Sequence, residues 1–188
     1  MKKFILILIF LLSCSREESN FNLQSLEGVD LEGKTFQFNA ITKMQRMALN
    51  VYSPTCVPCV KEIPVLNYLR KEMINKNLGE FYMIVDPYTL VDEDIKDINE
   101  AIQKASEIMK KEIQEKKIEM PVIIMKPPFK VLPGEGLVTG TPETLLLKTN
   151  PLVLYYNFIG AISQESDLEK IKSDKKIDFF IQLVGGAI

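Results

Sequence analysis

Apolar positions along the chain fall into two rhythms. Met47 to Tyr52 and Phe81 to Val85 are short unbroken apolar runs that stop at Ser53-Pro54 and Asp86-Pro87. Such runs are the pattern of strands buried within a sheet. Pro121 to Met125 is a third, β-branched stretch of the same kind. Elsewhere the apolar residues recur every three or four positions. Val60, Ile63, Leu66, Leu69 and Met73 predict a helix from Val57 to about Asn75, kinked at Pro64 and closed by Gly79. Ile95, Ile98, Ile102, Ala105, Met109 and Ile113 predict another from Asp92 to Glu119, with acids at its start and lysines at its end, as the helix dipole favours. A closing amphipathic helix from about Ser166 to Leu183 buries Leu168, Ile171, Ile177, Phe180 and Ile181. Phe21 to Leu26 and Lys34 to Phe38 flank Gly28 and Gly33 as an N-terminal hairpin. Thr144 to Leu147 and Leu152 to Phe158 form a second hairpin through Asn150-Pro151. Lys126 to Pro142, rich in proline and glycine, reads as an irregular loop of functional length.

This order predicts an α/β fold in which a central mixed sheet is covered by helices on both faces. With 188 residues, 46% of them hydrophobic, the chain has the size of one domain plus short appendages. Its 23 basic and 25 acidic side chains lack the clustered cationic excess of a nucleic-acid surface, so no nucleic-acid partner is expected. There is no histidine. That excludes Ser-His and Cys-His nucleophilic chemistry and removes the commonest transition-metal ligand.

The N-terminus carries its own signal. Lys2 and Lys3 precede the apolar run Phe4 to Leu12, too short for a mature membrane span and suited to a secretory h-region. Leu11-Leu12-Ser13-Cys14 resembles the lipobox of bacterial lipoproteins, with Leu12 in place of the usual small residue. The resemblance implies a signal peptide over residues 1–13, lipid attachment at Cys14, and a polar tether through Asn20 that leads into one domain spanning 21–188. An ordinary signal peptide with Cys14 as a bystander is the alternative.

Cys56-Val57-Pro58-Cys59 stands where a buried strand hands over to a helix. The first sulfur then lies at the helix N-terminus, where unpaired N–H groups and the dipole favour a thiolate. One turn on, Cys59 can reach bonding distance while staying shielded, so Cys56 would attack and Cys59 would resolve. A zinc site would need four ligands, and two thiols without histidine do not supply them, so no metal is expected. A purely structural disulfide remains a competing reading, although closing so short a loop removes little chain entropy.

Asn50 through Pro64 (Asn50-Val51-Tyr52-Ser53-Pro54-Thr55-Cys56-Val57-Pro58-Cys59-Val60-Lys61-Glu62-Ile63-Pro64) resembles the signature of TlpA/ResA-type thioredoxin-like proteins, roughly N-F-W-A-T-W-C-x-P-C-x-x-E-x-P. Gly140-Thr141-Pro142-Glu143-Thr144-Leu145-Leu146-Leu147 is similar to that family's G-V-P-T-T-F-L-I segment, and Leu31 to Phe36 to its N-terminal hairpin. The resemblance implies a thioredoxin-like fold and a thiol-disulfide oxidoreductase without a cofactor. It implies that Glu62 acts with the catalytic pair Cys56 and Cys59 in moving protons. It also implies a cis Pro142 facing the disulfide, with Thr141 presenting its backbone to substrate. Asn50 and Pro58 are the matching structural positions. The implied partners are client proteins with disulfides, such as apocytochromes during haem attachment, and a membrane electron donor of the thiol-disulfide transporter type. The implied direction is reduction, outside the cytoplasm. Tyr52 and Thr55 stand where the family has tryptophan, and the proline-rich stretch from Lys126 replaces its short helix. These departures keep open a redox-inactive thioredoxin-fold scaffold or binding lipoprotein.

Overall fold

The structure, a computed structural model, describes residues 22–41, 46–91, 94–132 and 136–186. The expected signal peptide, Cys14 and the tether lie outside the described residues.

Seven strands form one mixed sheet in the order β2-β1-β5-β4-β3-β6-β7. They are β1 (Glu27–Val29), β2 (Thr35–Gln37), β3 (Arg46–Val51), β4 (Glu80–Val85), β5 (Val122–Met125), β6 (Glu143–Lys148) and β7 (Val153–Ile159). β3, β4 and β5 run parallel, and β6 returns antiparallel to β3. An N-terminal hairpin is present, but its first strand lies beyond the expected Phe21 to Leu26 and runs through Gly28, because Leu23–Ser25 winds into a 3-10 turn capped by Asn22. The fold is α/β and thioredoxin-like.

Helix α1 (Val57–Asn75) begins and ends where its apolar spacing does and continues through Pro64. Gly79 closes the return to β4 at a φ of 142°; a side chain there would collide with the Arg46 carbonyl. Helix α2 (Ile98–Lys116) starts later than expected from the Ile95 stripe. Asp97 accepts from the N–H groups of Asn99 and Glu100, and so caps the helix at that point. The expected closing helix is two helices, α3 (Leu168–Ser173) and α4 (Lys175–Gly185). Asp174 separates them: its backbone is extended, and its carboxylate caps Lys176 N–H while accepting from the Ser163 hydroxyl at 2.6 Å.

The sheet divides the interior into two cores. On one face Ala48, Phe81, Met83, Val85, Ile124 and Leu146 meet side chains from all four helices. On the other, Met47, Leu49, Val51, Ile84, Leu145 and Leu147 meet Leu26, Phe38, Phe129, Val138 and Leu152. Every α-helical side chain in the two clusters belongs to the first. The expectation of helices on both faces is therefore corrected. Short 3-10 turns and the segment after Lys126 close the second face. Asp86, 2% exposed at the end of β4, anchors that segment by accepting from Val131 N–H at 3.0 Å.

Candidate active site

The site grows out of the end of β3. Val51 is the last strand residue, and Tyr52 still donates its N–H to the Ile84 carbonyl. Tyr52 is fully buried, and its hydroxyl donates to the Glu112 carboxylate of α2 at 2.7 Å. Burial, reinforced by the Glu112 bond and charge, raises the phenol well above its ordinary range. The chain then turns: Cys56 N–H donates to the Ser53 carbonyl at 3.1 Å, and the Ser53 and Thr55 hydroxyls meet at 3.0 Å.

Cys56 is the N-cap of α1. Its sulfur accepts from Cys59 N–H at 3.2 Å and is bonded to the Cys59 sulfur at 2.09 Å. Pro58 lies in the first helical turn, where a missing N–H deprives no intrahelical partner. The two sulfurs have unlike surroundings. Cys56 is half-buried, with Val57 beside it 63% exposed, whereas Cys59 is 0% exposed within the helical core. Exchange chemistry requires that asymmetry, one reachable sulfur and one sheltered sulfur.

Glu62 follows Cys59 by three residues, hence on the same helical face. It is 0% exposed. Oε1 accepts from Ile162 N–H at 2.5 Å, and Oε2 faces the Asn50 amide at 3.5 Å. That amide also donates to the Thr144 hydroxyl at 3.0 Å. Burial pushes the Glu62 carboxyl up to about 7, against the lowering pull of Ile162 N–H, the Asn50 amide and the Lys176 charge. A group with this value is part protonated and part ionised at neutral pH, the condition under which a carboxyl can either take up or release a proton.

The Thr141–Pro142 bond is cis. Val51 and Glu143 are register partners, so Pro142 sits at the same end of the sheet as the turn into Cys56. The Pro142 carbonyl accepts from Gly160 N–H at 3.0 Å. Thr141 is half-buried, and its N–H and C=O take no hydrogen bond among the described residues. Cys56 and Cys59 are thus joined, Glu62 and Asn50 form one buried network with Thr144, and Thr141 and Pro142 stand at the same sheet end. Three buried polar contacts escaped the sequence: Tyr52 with Glu112, Asp86 with Val131, and Glu143 with Thr139 and Asn157. An acidic residue opening the apolar strand Thr144 to Leu147 was the one available hint.

The described residues thus combine a thioredoxin-like fold with a CxxC disulfide at a helix N-terminus. No protein-family model matches the sequence, and the comparison with curated proteins finds no match. Solved structures do match. A thiol:disulfide interchange protein from a Bacteroides species superposes with a TM-score of 0.55 at 19% identity, over 86% of this chain and 87% of that one. A thioredoxin-family thiol:disulfide interchange protein from Chlorobium tepidum gives 0.51 at 21%, over 78% and 90%. An exposed lipoprotein thioredoxin from Streptococcus pneumoniae gives 0.51 at 17%, over 79% and 98%. At these identities the likeness is one of fold.

Proposed function

We propose that this chain is an extracytoplasmic, membrane-anchored thiol-disulfide oxidoreductase that reduces disulfides in client proteins through Cys56 and Cys59. The observation that carries this reading is the unequal pair: a half-buried Cys56 at the start of α1, bonded to a wholly buried Cys59. In the reduced protein the Cys56 thiolate attacks one sulfur of a client disulfide. A mixed disulfide forms, and the client's other sulfur leaves as a thiolate that takes up a proton. Cys59 then gives its proton to Glu62, and its thiolate attacks the Cys56 sulfur. The Cys56–Cys59 bond closes and the second client sulfur departs, so two electrons have passed from the pair to the client. Thr141 pairs its unbonded backbone with an extended client segment across the cis Pro142. A membrane thiol-disulfide transporter returns the electrons.

The location is supported by Lys2-Lys3, the apolar run Phe4 to Leu12 and the lipobox-like segment ending at Cys14. The fold it shares with an exposed lipoprotein thioredoxin points the same way. Insulin reduction driven by dithiothreitol tests the chemistry: the protein accelerates it, Cys56→Ser abolishes the acceleration, and Cys59→Ser accumulates a mixed disulfide. A wild-type protein that gives no acceleration overturns the reading. Trapping with Cys59→Ser in the native cell then identifies clients, and loss of membrane association in Cys14→Ser tests the anchor.

A further inference from the structure

Glu143, the residue after the cis proline, is a buried carboxylate with 1% of its surface exposed. A carboxylate removed from water needs donors, or its desolvation goes uncompensated. Thr139 supplies two, donating its N–H at 2.8 Å and its hydroxyl to Oε1. The Asn157 amide supplies a third, to Oε2 at 3.0 Å. Thr139 lies four residues upstream, so its bonds close residues 139–143 into a ring that contains Gly140, Thr141 and Pro142. Asn157 belongs to β7, diagonal to Glu143 across the ladder in which Glu143 faces Ile159. One carboxylate therefore ties both ends of the cis-proline loop, to its own strand and to the edge strand. The Gly160 bond to Pro142 is a second tie to the same edge.

Glu143 does this from the far side of the sheet. It shares the parity of Leu145 and Leu147, which face the second core, while Thr144 faces Asn50 and Glu62. The clamp is separated from the thiols and from their proton acceptor.

We infer that Glu143 is a positioning residue for the client, holding the Thr141 backbone where an extended disulfide-bearing segment pairs with it, without acting on thiol reactivity itself. This rests on the thiol-exchange reading above. The two oxygens of one planar carboxyl group let a single side chain reach Thr139 with one and Asn157 with the other. The similar G-V-P-T-T-F-L-I pattern places threonine at this position, too short to reach both partners.

The test compares wild type with Glu143→Ala, Glu143→Gln and Thr139→Val on two disulfides. One is 5,5′-dithiobis(2-nitrobenzoate), too small to need strand pairing. The other is insulin. Glu143→Ala raises the insulin KM about tenfold, leaves kcat within about twofold, and leaves the rate with the small disulfide unchanged. Glu143→Gln restores most of the KM. Its amide oxygen accepts from Thr139, and its NH2 group meets the Asn157 Oδ1, which is buried without a partner among the described residues until that amide turns over. Thr139→Val removes only the hydroxyl bond and raises KM about threefold. This milder cut, with the glutamine variant, keeps the test decisive if the alanine variant does not fold. An unchanged insulin KM in these variants, or loss of reactivity with both disulfides by the same factor, overturns the clamp. A wild type inert to both disulfides instead overturns the thiol-exchange reading on which the clamp rests.

Discussion

Ile162 N–H donates to the Glu62 carboxylate at 2.5 Å across 100 residues of sequence. The acid one turn beyond Cys59 is therefore held by the segment that leaves the edge strand. Two residues earlier in that segment, Gly160 donates to the Pro142 carbonyl. The buried Glu62 carboxyl and the cis-proline loop, on different elements, are anchored to one short stretch of chain. Movement of either is constrained by the same backbone.

Stability should fall as pH rises through the titration of Glu62. Burial lifts its carboxyl from 4.5 to about 7, so between those values the folded chain keeps a proton that the unfolded chain has lost. Stability gained by holding that proton is full below the lower value and gone above the higher one. The loss is on the order of 3 kcal/mol. Glu62→Gln has no proton to lose. Urea unfolding at about pH 5 and about pH 8 should show wild type declining relative to the glutamine variant, and a constant difference would contradict this.

Exchange rate should carry the same titration. The wild-type rate profile has an inflection near 7 that Glu62→Gln removes. Asn50→Ala takes away a donor that lowers the Glu62 carboxyl, so the inflection moves upward. Stopped-flow thiol exchange across pH checks both, and an Asn50→Ala inflection displaced downward would refute the assignment.

How much of this was legible in the sequence differs by level. Helix α1 was read to its ends because Val60, Ile63, Leu66 and Leu69 mark one face and Gly79 marks the return. A periodic stripe shows that a helix buries one face, yet it is silent on which side of the sheet takes it. That is why helices were expected on both faces, when all four contribute to one core. Ends set by side-chain capping were equally hidden: Asp97 delays α2 and Asp174 divides the last helix, and both look like ordinary acids in a polar run. Cys56 and Cys59 stood out by spacing alone, whereas Glu62 drew attention through resemblance, and its burial emerged only with Asn50 and Ile162 folded around it. Glu143 and Asp86 gave almost no signal, since their partners Asn157 and Val131 are 14 and 45 residues distant.

Asp174→Ala should destabilise the fold by about 1–2 kcal/mol, through loss of the α4 cap and of an acceptor for Ser163. Thiol exchange per folded molecule should persist, since the Asp174 carboxylate bonds Ser163 and Lys176 and neither cysteine, and any change should show in the Glu62 titration, which Ile162 and Lys176 influence. Thermal unfolding together with the insulin assay separates the two effects.

Asp86→Ala should cost about 2 kcal/mol by leaving Val131 N–H and Tyr88 N–H without an acceptor. Its effect should concentrate in the segment closing the second core. Hydrogen exchange should accelerate at Val131 and around Phe129 well before it does in α1. Uniform acceleration through the whole chain would deny Asp86 this anchoring role.

The most direct measurement takes the reduced protein, treats it with less than one equivalent of iodoacetamide over a range of pH, and locates the modified cysteine by peptide mass. The account predicts modification of Cys56 alone, with a half-maximal rate below about pH 8.5, the value of a free thiol. Modification of Cys59 first, or a Cys56 no more acidic than a free thiol, would contradict it.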